Sequence, residues 1–266
     1  MRPLTEFPAQ QIQSVKYLLA DIDDTITTEG RLTPDAYTAL ARLQDAGLKV
    51  IPITGRPAGW CDHFARMWPI DAIVGENGAF YFCYDHEMRT FKKRFSATDA
   101  QRAENRRRLD DVSQLILREV PGSALASDQN YREADIAIDF CEDVAPLPEP
   151  EIQRIVTLME DNGLTAKVSS IHVNGWIGDY DKLTMTKILM ADVFDCDIEK
   201  EKGDFVFVGD SPNDQPMFGY FPNAVGVANL KNFESSLTQM PAYVTELEAG
   251  SGFVELANSL ISVRRS

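Results

Sequence analysis

The chain has 266 residues, 44% hydrophobic, 25% charged and 9% aromatic, an average globular composition that excludes a disordered, collagen-like or disulfide-scaffold protein and allows a core plus a second module. Only 26 Lys and Arg stand against 41 Asp and Glu; the net charge of −15 repels nucleic acid and anionic lipid, and no apolar run approaches the roughly 18 residues of a membrane span. Cys61, Cys83, Cys141 and Cys196 lie far apart with no C-x-x-C pair, which argues for reduced thiols, and the first residues lack the apolar stretch of a secretory signal, so a cytoplasmic protein is expected.

Tyr17-Leu18-Leu19-Ala20 is an apolar run too short for a helix and predicts a buried strand leading into an acidic, threonine-rich loop. Thr33-Pro34-Asp35 then opens a helix with Ala36, Ala39, Leu40 and Leu43 on one face and Gly47 as its stop. Leu48 to Ile53 predicts a second strand ending in Thr54-Gly55-Arg56-Pro57, and strand, helix, strand in so short a span implies a right-handed parallel crossover. A helix over 58–68 and a strand over 72–74 continue the alternation to Gly75-Glu76-Asn77-Gly78.

There the pattern changes. Residues 79–84 and 89–95 read as a hairpin, followed by a long polar helix with Leu109, Val112, Leu115 and Ile116 on one face. Next come a strand over 136–140, a break at Pro146, Pro148 and Pro150, a helix carrying Ile152, Ile155, Val156 and Met159, and short strands over 167–170 and 172–177. Residues 85–178 therefore read as an α+β module inserted into an α/β core of residues 1–84 and 179–266. In that core a helix over 184–194, strands over 205–208 and 224–227 and an amphipathic helix over 252–263 complete a Rossmann-like, doubly wound parallel sheet.

Three of the predicted parallel strands end in Asp21, Thr54 and Asp210, the end at which open α/β sheets bind ligands. A lone Asp after a strand is usually a turn former or a helix cap, but three such residues converging on one edge form a candidate site. Asp23 two residues on, and Asp214 in Gly209-Asp210-Ser211-Pro212-Asn213-Asp214, bring the carboxylates to four. Gathered together they repel one another unless a cation sits among them, and an all-oxygen set suits Mg²⁺. That cation, with Lys182, makes a locally positive spot able to take a phosphate on an acidic protein.

Asp21-Ile22-Asp23-Asp24-Thr25 resembles the D-x-D-x-T signature of the haloacid dehalogenase superfamily phosphatases, and Ile53-Thr54-Gly55-Arg56-Pro57 is similar to their second motif. Lys182 with the helix after it is similar to the third, and Gly209 to Asp214 to the fourth; Leu183 stands where many relatives carry glycine, and the long gap to Asp210 leaves Lys187 as a rival lysine. An insert between the second and third motifs with this element pattern resembles the type C2B cap of subclass IIB, as does Gly75-Glu76-Asn77-Gly78-Ala79.

The resemblance implies that Asp21 is the nucleophile forming an aspartyl phosphate, Asp23 the acid and base, and Thr54 and Lys182 the holders of the phosphoryl oxygens. It implies Mg²⁺ held by Asp21, the Asp23 carbonyl and Asp210, supported by Asp214 and Asn213. Gly55, Arg56, Asn77 and, from the cap, Arg132 are further candidates for substrate contact. The basic runs Lys92-Lys93-Arg94 and Arg106-Arg107-Arg108 read as solvated faces, and Trp60, Trp68 and Trp176 as packing residues. The expected activity is Mg²⁺-dependent hydrolysis of small phosphorylated metabolites, sugar phosphates first. A phosphomutase, a phospho-accepting signalling module and an inert binding protein remain alternatives, and the oligomeric state is open.

Overall fold

The computed structural model describes residues 1–169 and 171–264. Along the chain run β1 (Arg2–Pro3), α1 (Ala9–Ser14), β2 (Tyr17–Ala20), α2 (Pro34–Asp45), β3 (Lys49–Pro52), α3 (Ala58–Met67) and β4 (Ile73–Gly75). The middle of the chain forms β5 (Phe80–Asp85), β6 (Thr90–Phe95), α4 (Asp99–Glu119), β7 (Ala124–Leu125), β8 (Asp135–Asp139), α5 (Glu149–Asp161), β9 (Thr165–Val168) and β10 (His172–Trp176). It closes with α6 (Lys182–Phe194), β11 (Phe205–Gly209), α7 (Gln215–Tyr220), β12 (Ala224–Gly226), β13 (Tyr243–Val244) and α8 (Ala249–Arg264).

Six strands form one parallel sheet in the order β1-β13-β12-β11-β2-β3. The period of two along its strands divides the core. Leu18, Ala20, Val50, Val206 and Val208 face a cluster closed by α2 and α8, whereas Leu19, Ile51, Phe205 and Phe207 face a second cluster closed by α6 and α7. The sheet is thus covered on both sides, and its strands are apolar throughout because neither face meets water. The edge strand β1 and its neighbour β13, two residues each, are too short to carry a sequence signal.

Helix starts follow their caps. Thr33 Oγ1 accepts from the Ala36 N–H ahead of Pro34, as the sequence predicts for α2. Helix α6 begins two residues earlier than expected, because Asp181 Oδ1 accepts from the Thr184 N–H at 2.6 Å and draws Lys182 into the first turn.

The middle segment carries two smaller sheets. The β5–β6 hairpin pairs with β4, and Phe80, Phe82, Phe91 and Phe95 pack into the first core cluster. The antiparallel sheet β7-β8-β10-β9 lays Ile136, Ile138 and Val173 under α4 and α5 in a third cluster of its own. Its opposite face presents Asp135, Asp139, His172, Asn174 and Trp176, yet every residue of β8 and β10 is buried. A polar face that is buried has to lie against something, and the contacts below show that it lies toward the parallel sheet. The strand expected over 167–170 is found over 165–168; Ser170 lies outside the described residues. No helix among the described residues is long and apolar enough to cross a membrane.

Candidate active site

Asp21 leaves the end of β2, its N–H still donating to the Val208 carbonyl of β11 at 2.9 Å. Asp210 follows β11, the adjacent strand, so two carboxylates emerge side by side from the C-terminal edge of the sheet. Asp214 joins them from the 3-10 turn Pro212–Asp214, and Gly209 lets it approach, since a Cβ at that position would overlap the Asp214 carboxylate. Asp21, Asp210 and Asp214 are buried and each offers an oxygen within 4.8 Å of the others. Lys182 reaches the group from the first turn of α6, with Nζ donating to Asp21 Oδ1 at 2.6 Å and Asp214 Oδ1 at 2.8 Å. Gly78, at φ +106°, lets α6 come so close, because a Cβ there would strike the carbonyl of Asp181. The rival Lys187 is paired with Glu199 at 2.7 Å on the surface.

Burial pushes the Asp21 carboxyl up to about 7; the Lys182 ammonium opposes the rise, while Asp214 and Asp23 add to it. Burial also lifts Asp210 to about 9, reinforced by Asp21 and Asp214. Burial acts against the charge on Lys182 as well, but the two carboxylates outweigh it and hold the ammonium above the ordinary lysine value. Three acids therefore share one cation, and the remaining repulsion is what a divalent ion would cancel. The donors are all oxygens, the set preferred by Mg²⁺, so the residues present fit that ion.

Asp23 stands apart from this group. Its carboxylate accepts from Arg56 Nη2 at 2.8 Å and Nε at 3.0 Å, and the Arg56 guanidinium stacks over Trp60 at 4.6 Å from the ring centroid. Burial works against the Arg56 charge, but Asp23 overcomes it and keeps the guanidinium firmly protonated. Thr54 is fully buried; its hydroxyl accepts from the Arg56 N–H at 3.0 Å, and its carbonyl accepts from the Asn77 N–H at 3.1 Å. The side chain of Asn77 rests against Gly55. Asn213 accepts from the Ser211 hydroxyl at 2.9 Å. Asn77, Lys182 and Asn213 meet around a cavity whose other wall includes Lys167 and Trp176 of the insert.

Arg132 is elsewhere. Its side chain is 2% exposed, with Nε donating to Asp128 at 3.2 Å and Nη1 to Asp135 at 3.1 Å and to the Gly55 carbonyl at 3.2 Å. A guanidinium so committed ties the insert to the loop after Thr54, where sequence reasoning had offered it as a substrate contact. Beside it Glu76, which sequence reasoning passed over, accepts from the Ala58 and Glu133 N–H groups at 2.9 Å each and from the Ala134 N–H at 2.6 Å. Burial is the main cause that lifts its carboxyl to about 8, aided by Asp135 and opposed by these N–H groups and Arg132. The available signal was a glutamate at positive φ, 42°, inside a Gly-Glu-Asn-Gly turn, which no sequence pattern reveals.

A family model described as haloacid dehalogenase-like hydrolase matches residues 18–117. A phosphoglycolate phosphatase of Haloarcula marismortui is 26% identical over 248 residues, covering 90% of this chain and 94% of that protein. Among solved structures, one from Thermoplasma acidophilum superposes with a TM-score of 0.71 at 16% identity, covering 94% of this chain and 99% of the other. The C-terminal domain of the C. albicans trehalose-6-phosphate phosphatase does so with a TM-score of 0.71 at 14% identity and 98% coverage of both chains. At such identities the structures speak for the fold.

Proposed function

We propose that the chain, which is similar to haloacid dehalogenase-like hydrolases and to a phosphoglycolate phosphatase, is a phosphatase that hydrolyses small phosphorylated metabolites through an aspartyl phosphate on Asp21, with Mg²⁺ as its ion. The observation that carries this is Asp21 at the end of β2, its Oδ1 2.6 Å from Lys182 Nζ and one of its oxygens within 4.8 Å of an oxygen of Asp210 and of Asp214. The Asp21 carboxylate attacks phosphorus, the bond to the ester oxygen breaks, and Asp23 supplies the proton that the leaving alkoxide takes up. Asp23 then removes a proton from water, which attacks phosphorus, breaks the bond to Asp21 and releases inorganic phosphate. Lys182 and the Thr54 hydroxyl hold the phosphoryl oxygens as charge develops. Arg56 orients Asp23 through its paired hydrogen bonds.

Asp21, Asp210 and the carbonyl of Asp23 would hold Mg²⁺, with Asp214 and Asn213 in support. Bound there, the ion neutralises the carboxylates and the transferring phosphoryl charge. In this reading residues 1–84 and 179–266 are the catalytic core and 85–178 the cap, supported by the separate apolar cluster beneath β8 and β10 and by their buried polar face. Sugar phosphates and, from the name of the Haloarcula relative, phosphoglycolate are the first substrates to assay. Asp21→Asn keeps the side-chain shape and removes the attacking charge. Hydrolysis of p-nitrophenyl phosphate that needs Mg²⁺ and disappears in this variant bears the reading out; turnover indifferent to both sinks it.

A further inference from the structure

Arg56, which holds Asp23, lies in the loop 54–58, and a long side chain points only as accurately as the backbone beneath it is fixed. That backbone is fixed from outside the loop. The Gly55 carbonyl accepts from Arg132 Nη1 at 3.2 Å, the Arg56 carbonyl accepts from the Glu76 N–H at 3.2 Å, and the Ala58 N–H donates to Glu76 Oε1 at 2.9 Å. The same Oε1 accepts from the Glu133 N–H at 2.9 Å, and Oε2 accepts from the Ala134 N–H at 2.6 Å. Three consecutive residues of the insert, together with Glu76, thus grip the loop on both sides of Arg56. Pro57, at the N-cap of α3, makes no side-chain cap hydrogen bond, so Glu76 supplies that cap from another part of the chain. A cap alone does not call for such a residue, since Ser or Asp at position 57 would do as well. Glu76 is instead a fully buried acid on a backbone at φ +42°, two unfavourable features that a fold retains where the geometry serves the site.

Resting on the phosphatase reading, we propose that Glu76 is a positioning residue for proton transfer: by tying residues 133–134 of the insert to the loop after Thr54 it sets Arg56, and through Arg56 the direction in which Asp23 meets the ester oxygen. In that step the proton passes from the Asp23 carboxyl to the ester oxygen as the bond between that oxygen and phosphorus breaks, its electron pair going to oxygen. Such a transfer depends on two oxygens coming within hydrogen-bond reach in line, whereas the attack by Asp21 rests on β2 and Lys182. The grip on the loop therefore bears on one demand of the reaction more than on the other. An ester whose leaving group departs as a stable anion asks little of Asp23, while an alkoxide needs its proton. Glutamine at position 76 keeps the side-chain shape and one acceptor oxygen but turns the other into a donor, which cannot accept from Ala134 or, flipped, from Ala58 and Glu133. It loosens the grip without emptying the position.

The test uses the full chain with Mg²⁺ and two esters of similar size, p-nitrophenyl phosphate, which releases a stable anion, and benzyl phosphate, which releases an alkoxide. Glu76→Gln should lower kcat/KM about ten- to a hundredfold more for benzyl phosphate than for p-nitrophenyl phosphate, the range expected of a displaced general acid. Arg56→Gln should shift the ratio in the same direction, and adding Glu76→Gln to it should change the ratio by less than about twofold, because both act through one pair. An unchanged ratio in Glu76→Gln, or losses that multiply in the double variant, overturns the proposal and leaves Asp21-dependent hydrolysis standing; turnover that survives Asp21→Asn removes both. Hydrogen exchange reads the grip without turnover. In Glu76→Gln the amides of Arg56 and Ala58 should exchange about tenfold faster or more, with those of β11 unchanged. Wild-type protection at Arg56 and Ala58, or acceleration spread evenly over both segments, refutes the positioning role.

Discussion

Asp21, Asp210 and Asp214 at the edge of the parallel sheet, and Glu76, Asp128 and Asp135 beneath the insert, are two sets of three buried carboxylates around one cation, Lys182 in the first and Arg132 in the second. They differ in what else points at them. Glu76 collects three backbone N–H groups, from Ala58 on one side and from Glu133 and Ala134 on the other, and Asp135 takes Arg132 and the Asn174 amide. Among the described residues the Asp21 carboxylate has Lys182 alone, and Asp210 has a Thr25 hydroxyl at 3.4 Å. The first set converges on a shared centre; the second is spread along a seam and spends its oxygens on two pieces of chain. Buried acids thus form a candidate ligand site where donors are withheld and an anchor where donors are supplied.

Substitutions should separate the two sets. The largest effect falls on activity: Asp21→Asn should lower kcat for p-nitrophenyl phosphate by about a thousandfold or more, the usual scale for a lost nucleophile, with a near-normal melting temperature. Chelation with EDTA should likewise abolish turnover and Mg²⁺ restore it, while Ca²⁺, with its looser and higher coordination, should not. The seam should respond in the opposite sense. Arg132→Ala leaves Asp135 and Asp128 buried without their partner and should cost about 3–5 kcal/mol in denaturant unfolding, with losses alike for large and small substrates in the remaining folded protein. A selective loss on a large substrate would return Arg132 to the substrate site.

Asp210→Asn should do the reverse of Arg132→Ala. By removing a carboxyl that burial, reinforced by Asp21 and Asp214, pushes up to about 9 on folding, it should raise the Tm of the chelated protein by roughly 2–4 °C, the shift that about 1 kcal/mol produces in a chain of about this size, while lowering Mg²⁺-dependent turnover. A lower Tm would mean that the carboxylate is an anchor like Glu76. The smallest effect is on pH dependence. The Glu76 carboxyl rises from its ordinary 4.5 to about 8 on folding, so the folded state holds a proton that the unfolded chain has given up. Its stabilising contribution is complete below about 4.5 and declines as pH rises toward about 8. In Mg²⁺-saturated protein, Glu76→Gln should therefore flatten the fall of Tm over that window; an unchanged slope refutes the assignment.

The placement of much of the candidate site was legible locally. Asp21, Thr54 and Asp210 each follow a short apolar run, and a parallel strand places whatever follows it at the binding edge. Lys182 needed only a helix start to define it, although the start itself shifted by two residues through the Asp181 cap. Glu76 and Arg132 were not legible, because their partners lie 57 and 77 residues away, at Glu133 and Gly55. Trp176, expected only to pack, turns out to line a cavity with its N–H unsatisfied.

Sequence alone determined the alternation of strands and helices, the interruption of that alternation by a second module, and the residues at three strand ends, since each depends on periodicity and capping within a few residues. Tertiary structure alone decided which acids share a cation and which meet backbone N–H groups. It also decided that the polar face of β8 and β10 is buried rather than solvated. A charged residue on an alternating strand has the same local pattern whether it faces water or a cleft. Only the packing of one sheet over the edge of another removes the water and gives the charge a partner to seek.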